Sequence, residues 1–489
     1  MTSAENIHRF TKSDIDRRFR ATIGRTLGEI DAAGVLKSPS SNKGIAGAIF
    51  EQSVLGYPAD CRQEPDLIVD GLPTELKVTG LIASPRSKRG WRAKEPMSIT
   101  AVSPNQIVNE EFYTSTFWDK AERLLLVYYM YVKPGKGIKF AQWATFEVKG
   151  YEFHTWSSID VIRLENDWTI VRDFVKYALD TDKDALLPLL STNINPQLLL
   201  LDTAPKYPHP PRFRFKNSFV NTIACDYFDG VREAGAPVES MQDLDAMLAN
   251  YAERNGGKTI RDLARELEIT GVNGDGSSVP KSITEQILVR MFTGRPGKIN
   301  SIEVFAKASI EFKSIILTSK GGRTEDMKLE PTIDFDELLS LQTVFSDSIF
   351  ASRFIDSSIV CAVFQEPYPS CSMLDVTFCG FKRLWLGELV DEAEKLWNSM
   401  RALVFEGRLQ NVPVLKKDGA PRISPKTKVP VVAPNWPKSK DGTLFVRGTG
   451  GDALDKPVEI SGVKMYRQNV WIKGTWIVRK LEKQQFLHL

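Results

Sequence analysis

Four segments of this 489-residue chain return later in the same order, and no other feature of the sequence restricts its fold as tightly. GIAGAIFEQSVLG (Gly44–Gly56) is matched by SITEQILVRMFTG (Ser282–Gly294), and TELKVTGLI (Thr74–Ile82) by SIEFKSIIL (Ser309–Leu317). STFWDKAERLLLVYYM (Ser115–Met130) is matched by SIFASRFIDSSIVCAVF (Ser348–Phe364), and RFRFKNSFVNTIA (Arg212–Ala224) by VKMYRQNVWIKGTWI (Val463–Ile477). Similarity in a fixed order is the mark of a repeated unit. The length also exceeds what one ordinary core serves. The expected fold is therefore mixed α/β: two tandem units, residues 1–232 and 233–489, each a central mixed β-sheet flanked by helices.

Local patterning fills in the first unit. Ile15, Phe19, Ile23, Leu27 and Ile30 recur at spacings of three and four, which predicts a helix over residues 12–33. Ile45–Leu55 reads as a buried helix in which Glu51 is the one charge. Strands are expected at Asp66–Val69, Thr74–Leu81, Met97–Thr100 and Leu124–Val132. The last, LLLVYYMYV, has the unbroken apolar character of a central strand. Residues 158–180 turn helical. TIRDLARELEI (Thr259–Ile269) reads as a short amphipathic helix, with the opening of a helix-turn-helix as the rival reading.

Composition removes several function classes. The 64 basic and 61 acidic residues leave a net charge of +3, so a nucleic-acid footprint has to be local. Four histidines, two of them near the termini, argue against a histidine triad or a His-rich zinc site. Five cysteines without a CxxC pattern fit a reducing cytosol better than a disulfide framework. The polar start is not a signal peptide, and the tight apolar cluster Leu198–Leu201 is far too short to span a bilayer, so the expectation is a cytoplasmic protein with no membrane partner. Any catalysis falls to carboxylates and lysines.

The stretch PDLIVDGLPTELK (Pro65–Lys77) offers them. Hydrolysing a phosphodiester needs a nucleophilic water, a partly neutralised phosphate and a stabilised leaving oxygen, which one or two Mg²⁺ ions on oxygen ligands supply. Residues two apart in a strand share a face, so Glu75 and Lys77 point together, and the intervening turn can bring Asp66 opposite Glu75. Glu51, on an apolar helix, is costly to bury without a cation or hydrogen bonds. Glu-x-Lys by itself decides nothing: Glu147–Lys149 and Glu311–Lys313 repeat it, and a solvated charged pair is its usual meaning.

The order Asn42-Lys43-Gly44, Gly47 to Glu51, Pro65-Asp66, then Glu75 to Thr79 resembles the MutH family of PD-(D/E)xK nucleases. Within it, the doubled architecture is similar to type II restriction enzymes of the Sau-three-A-I kind, which look like two MutH-like units in one chain. The resemblance implies metal binding by Asp66 and Glu75, assistance to the water by Lys77, and completion of the site by Glu51. It implies Mg²⁺, double-stranded DNA and cleavage at 5′-GATC-3′. The gap from Asp66 to Glu75 is longer than the common family spacing, which leaves Asp70 as the alternative ligand. The second unit keeps Glu311 and Lys313 but lacks a preceding Pro-Asp, so it is expected to be a catalytically inactive DNA-binding or regulatory copy. A second DNA site there and DNA-dependent dimerisation remain open.

Two basic stretches are candidate DNA contacts. Arg86, Lys88, Arg89, Arg92 and Lys94 follow the Glu75–Lys77 strand directly, although a solvated loop has the same composition. Arg212, Arg214 and Lys216 alternate with Phe213 and Phe215, which predicts an exposed basic strand edge. A looser basic run lies between residues 416 and 440. Two rivals stand beside the restriction reading: a mismatch-repair-type enzyme that nicks hemimethylated sites, and a non-catalytic DNA-binding protein.

Overall fold

The computed structural model describes residues 7–37, 44–58, 64–84, 90–132, 142–204, 210–230, 238–271 and 279–487, apart from 298, 300, 301, 324, 331, 332, 342, 356, 417, 425–427 and 451–455. Contacts divide the chain into two units, Met1–Leu244 with Asn300–Ile310, and Asp245–Ile299 with Glu311–Leu489.

The first unit is organised by strands β1 (Arg9–Phe10), β2 (Leu67–Val69), β3 (Leu72–Ala83), β4 (Trp91–Ala93), β5 (Met97–Ala101), β6 (Leu124–Tyr131), β7 (Glu147–His154), β8 (Leu201–Asp202) and β9 (Arg212–Phe215). The main sheet runs β1-β2-β3-β6-β7, with β4 paired to β3, and a smaller sheet runs β5-β9-β8. Strand β6 is the central strand its composition predicts: Leu124 to Tyr129 are all buried. It lies parallel to β3 and antiparallel to β7, so the sheet is mixed. On one side Ile15, Phe19, Ile49 and Phe50 pack against Leu67, Leu125 and Val127.

One expected helix is broken. Residues 12–33 form α1 (Lys12–Arg20) and a short α2 (Leu27–Ile30). Gly24 takes φ 79°, and its N–H reaches the Val148 carbonyl at 2.9 Å. Thr26 and Glu29 then restart the helix with a capping box. Docking on β7 wins over the apolar period. The next helix, α3 (Ile45–Ile49), continues into a π-type turn, Phe50–Leu55, which carries Glu51 and ends at Gly56 in the left-handed region.

Residues 302–310 are held in the first unit by buried charges. Lys307 Nζ lies 2.7 Å from Asp160 and 2.6 Å from Glu303, and Arg163 bridges Asp160 and Glu303 at 3.1 and 2.9 Å.

In the second unit, Ile310–Leu317, Ser358–Gln365 and Thr377–Trp385 form a sheet in that order. A helix, Ile349–Ile355, precedes its middle strand and another, Val390–Phe405, follows its last. The same order, with helices in the same places, runs through β3-β6-β7. A second sheet joins Met327–Lys328, Arg467–Ile472 and Leu444–Thr449. Thr259 caps the helix Ile260–Glu266, whose Ile260, Leu263 and Ala264 are buried. Among the described residues no helix is long and apolar enough to cross a membrane.

Candidate active site

The hairpin β2–β3 sets the site. Val69 pairs with Leu72, and the two residues between them, Asp70 and Gly71, take φ 50° and 83°. Asp-Gly at positive φ is the short turn whose twist suits paired strands. The turn is therefore two residues long, and the extra spacing in the sequence is taken up by strand pairing rather than by a longer loop. Leu67 pairs with Thr74, so Asp66 and Glu75 stand one step further along the same register. Asp70 lies at the far, exposed tip, where its carboxylate accepts from the Lys12 N–H at 3.1 Å.

Asp66 and Glu75 meet in a half-sealed pocket of charge. Asp66 Oδ2 accepts the Leu76 N–H at 2.9 Å. Glu75 is 2% exposed, and Lys77 Nζ donates to its Oε1 at 2.6 Å. Burial pushes the Asp66 carboxyl above the usual carboxylate range, and the Glu75 charge pushes it further; Lys77, the Leu76 N–H and Lys120 oppose the rise. Glu75 Oε2 is buried without a hydrogen-bond partner among the described residues. Near it stands a residue that the motif did not announce: Lys120 Nζ is 3.4 Å from Glu75 Oε2.

Lys120 arrives from the helix Thr116–Ala121, which Ser115 caps through the Trp118 N–H and which leads straight into β6. Because β6 runs parallel to β3, with Leu124 beside Glu75, the end of that helix falls over the carboxylates. Its neighbour Asp119 is also pushed up, by burial first and by the charges of Glu64 and Glu75, with Lys120 opposing. Lys120 further lines a cavity of about 210 Å³ with Thr100, Ser103, Gln106, Glu110 and Arg212.

Other expected residues fall as follows. Glu51 is half-buried at the start of its π-type turn. Arg86, Lys88 and Arg89 lie outside the described residues. Arg92 is half-buried, and Lys94 pairs with Glu95 at 2.9 Å and sits over the Tyr131 ring. The exposed basic edge at 212–216 needs correcting. Arg212 is exposed, but Arg214 Nε donates to buried Asp202 at 2.7 Å, and Lys216 is 2% exposed with Nζ on the Leu198 carbonyl at 2.6 Å. Alternation ends with the strand; Lys216 stands at the N-cap position of the next helix without a side-chain cap, and its side chain turns inward.

Comparison with known proteins matches this region. Residues 55–155 fit the family model of the DNA mismatch repair enzyme MutH. A type II restriction enzyme of Staphylococcus aureus, Sau3AI, is 27% identical over 165 residues, 34% of this chain and 31% of the relative. The match thus spans less than a third of that relative's length. Residues 55–155 are therefore MutH-like, and this stretch carries Asp66, Glu75, Lys77 and Lys120.

Proposed function

We propose that the chain is a Mg²⁺-dependent type II restriction endonuclease that cuts double-stranded DNA at a specific sequence. The observation that carries this is the grouping of Asp66, Glu75, Lys77 and Lys120 around one buried carboxylate. The donor set fits a hard divalent ion: two carboxylates suffice for a Mg²⁺ that keeps several waters, and Glu75 Oε2 is a buried oxygen left without a hydrogen bond. Asp66 and Glu75 would hold the ion, which when bound polarises the phosphate and activates water.

The chain's own groups do the rest. Asp66 must be ionised, and Lys77 and Lys120 favour that state against burial and Glu75. Lys77, 2.6 Å from Glu75 Oε1, is placed to orient a water and to neutralise a phosphate oxygen. Glu51 completes the site through water or a lysine. Arg212 and Lys120, on the wall of the adjoining cavity, offer positive charge to the DNA backbone. The resemblance to the restriction enzymes carries the assignment of 5′-GATC-3′ as the target, and the second unit's role as an inactive DNA-binding copy.

Plasmid digestion with Mg²⁺ or with EDTA, followed by sequencing of the ends, tests the reading. Cleavage confined to Mg²⁺ and to one short sequence is expected; Glu75→Ala and Lys77→Ala should retain DNA binding and lose cleavage. Absence of Mg²⁺-dependent cleavage on GATC-containing plasmids overturns it. The mismatch-repair family match favours one rival, nicking at hemimethylated sites. Methylated, hemimethylated and unmethylated duplexes separate the two, since nicks confined to the hemimethylated duplex leave only the rival.

A further inference from the structure

The second unit contains a cluster built on the plan of the first, with one change of chemistry. Glu311 and Lys313 lie on the strand that corresponds to β3, and Lys313 Nζ is 3.5 Å from Glu311 Oε2. Matching Ser115–Met130 with Ser348–Phe364 from their first serines places Arg353 where the first unit has Lys120. The geometry agrees: Arg353, on the helix Ile349–Ile355, has Nη2 2.5 Å from Glu311 Oε1. The hairpin that brings Asp66 has no counterpart in this three-stranded sheet among the described residues. The chain there forms the helix Glu303–Lys307 instead, and its Glu303 is committed to Arg163 and Lys307.

These substitutions alter what the cluster can hold. Each leaves one carboxylate oxygen buried without a hydrogen bond among the described residues, Glu75 Oε2 and Glu311 Oε2, but the first has two carboxylates and two lysines. The second has one carboxylate against two cations, one of them permanently charged. Arg353 donates from Nη1 to Ser357 Oγ at 2.9 Å and its Nη2 is paired with Glu311, while its Nε is buried without a hydrogen bond among the described residues. The cluster is also more open: the Glu311 side chain is 20% exposed and that of Lys313 28%, against 3% for Glu75.

We infer that Glu311, Lys313 and Arg353 form a metal-independent site for a phosphodiester of DNA, in which Arg353 supplies the positive charge that a divalent ion supplies in the first unit. The guanidinium fork suits phosphate oxygens, and Glu311 holds it in place while competing for it. The DNA ligand rests on the nuclease reading above; the charge arrangement does not. The signs of two substitutions then oppose each other. Removing Glu311's charge frees Arg353 and strengthens metal-free binding, whereas removing Arg353 weakens it.

The test is fluorescence anisotropy of a labelled duplex with the full chain in EDTA, over a range of salt. Arg353→Ala should weaken binding about tenfold and reduce the salt slope by about 0.9, the value of one phosphate contact. Glu311→Gln, nearly isosteric, should strengthen binding several-fold, and Arg353→Lys should keep most of the slope. Weaker binding by Glu311→Gln, or an unchanged slope in a folded Arg353→Ala, overturns the proposal. Plasmid cleavage by the unaltered chain is measured separately, so failure of the nuclease reading shows as lost cleavage with these binding signs intact.

Discussion

Lys120 gives the sharpest test of the site, because nothing in the Pro-Asp to Glu-x-Lys motif requires it. Its Nζ lies 3.4 Å from Glu75 Oε2, and Glu75 is almost wholly buried. At an effective dielectric near 20, a gross attraction at that separation is about 5 kcal/mol. Lys77 stays at 2.6 Å when Lys120 is removed, so Glu75 is not stranded. The net loss of folded-state stability should therefore fall below the roughly 3–5 kcal/mol seen when a buried charge loses its only partner. Catalysis should suffer more than stability. Losing a preorganised charge beside the reacting phosphate typically costs about 10²- to 10³-fold in rate.

The pH dependence adds a signature that a merely structural lysine would not give. Lys120 is one of the groups holding down the Asp66 carboxyl, which burial and Glu75 push up. Lys120→Ala should therefore move the acid limb of cleavage to higher pH, because Asp66 then stays protonated further up the scale. Glu75→Gln would move the same titration down, although it also removes a proposed ligand. The assay is single-turnover plasmid cleavage at saturating Mg²⁺ across the acid limb, with a thermal melt beside it. Cleavage within about threefold of the unaltered chain, with the acid limb in place, would refute the assignment of Lys120 to the site.

Three further outcomes follow. Asp66→Asn should abolish cleavage yet stabilise the metal-free chain at neutral pH: a raised folded-state pKa means that Asp66 supports folding when protonated, below the ordinary carboxylate value, and loses that support as pH rises through the raised one. Melts in EDTA should show a midpoint higher by about 2 °C at neutral pH and no gain in acid. Arg214→Ala should cost about 3 kcal/mol in urea unfolding, since it strands fully buried Asp202; a loss of DNA affinity without that cost would refute the structural role. Lys307→Ala, which leaves the Asp160 carboxylate with Arg163 as its cation and the Ser157 hydroxyl as its other donor, should destabilise the first unit by about 2–4 kcal/mol, read as increased amide exchange in residues 303–310.

What the sequence disclosed about the site follows from distance along the chain. Asp66, Glu75 and Lys77 lie within one hairpin, where the two-residue period and an Asp-Gly turn define which side chains meet. Lys120 is 45 residues beyond Glu75 and reaches it through a parallel crossover, which no local pattern reveals. A signal was nonetheless present: aligning the two repeats from Ser115 and Ser348 pairs Lys120 with Arg353, a cation shortly before the central strand in both halves. Lys216 departs from its sequence pattern for the opposite reason. Its alternation with Phe213 and Phe215 is real, but the strand ends at Phe215 and the side chain obeys the helix that follows.

The two clusters together explain how one scaffold can be tuned toward or away from a divalent ion. In the first, Asp66 and Glu75 set two negative charges against Lys77 and Lys120, and burial first, with the Glu75 charge adding to it, raises Asp66. On the proposed reading a dication would offset both the burial and the repulsion, and so would bind the more tightly for them. In the second, Glu311 faces both Lys313 and Arg353, and the repulsion that would reward a dication is replaced by attraction already satisfied. Restoring one carboxylate there is therefore insufficient: an added acid would meet Arg353 before it met a metal. Conversion to a metal site requires loss of the arginine as well, and a variant with the added carboxylate that bound Mn²⁺ with Arg353 retained would contradict this account of why the clusters differ.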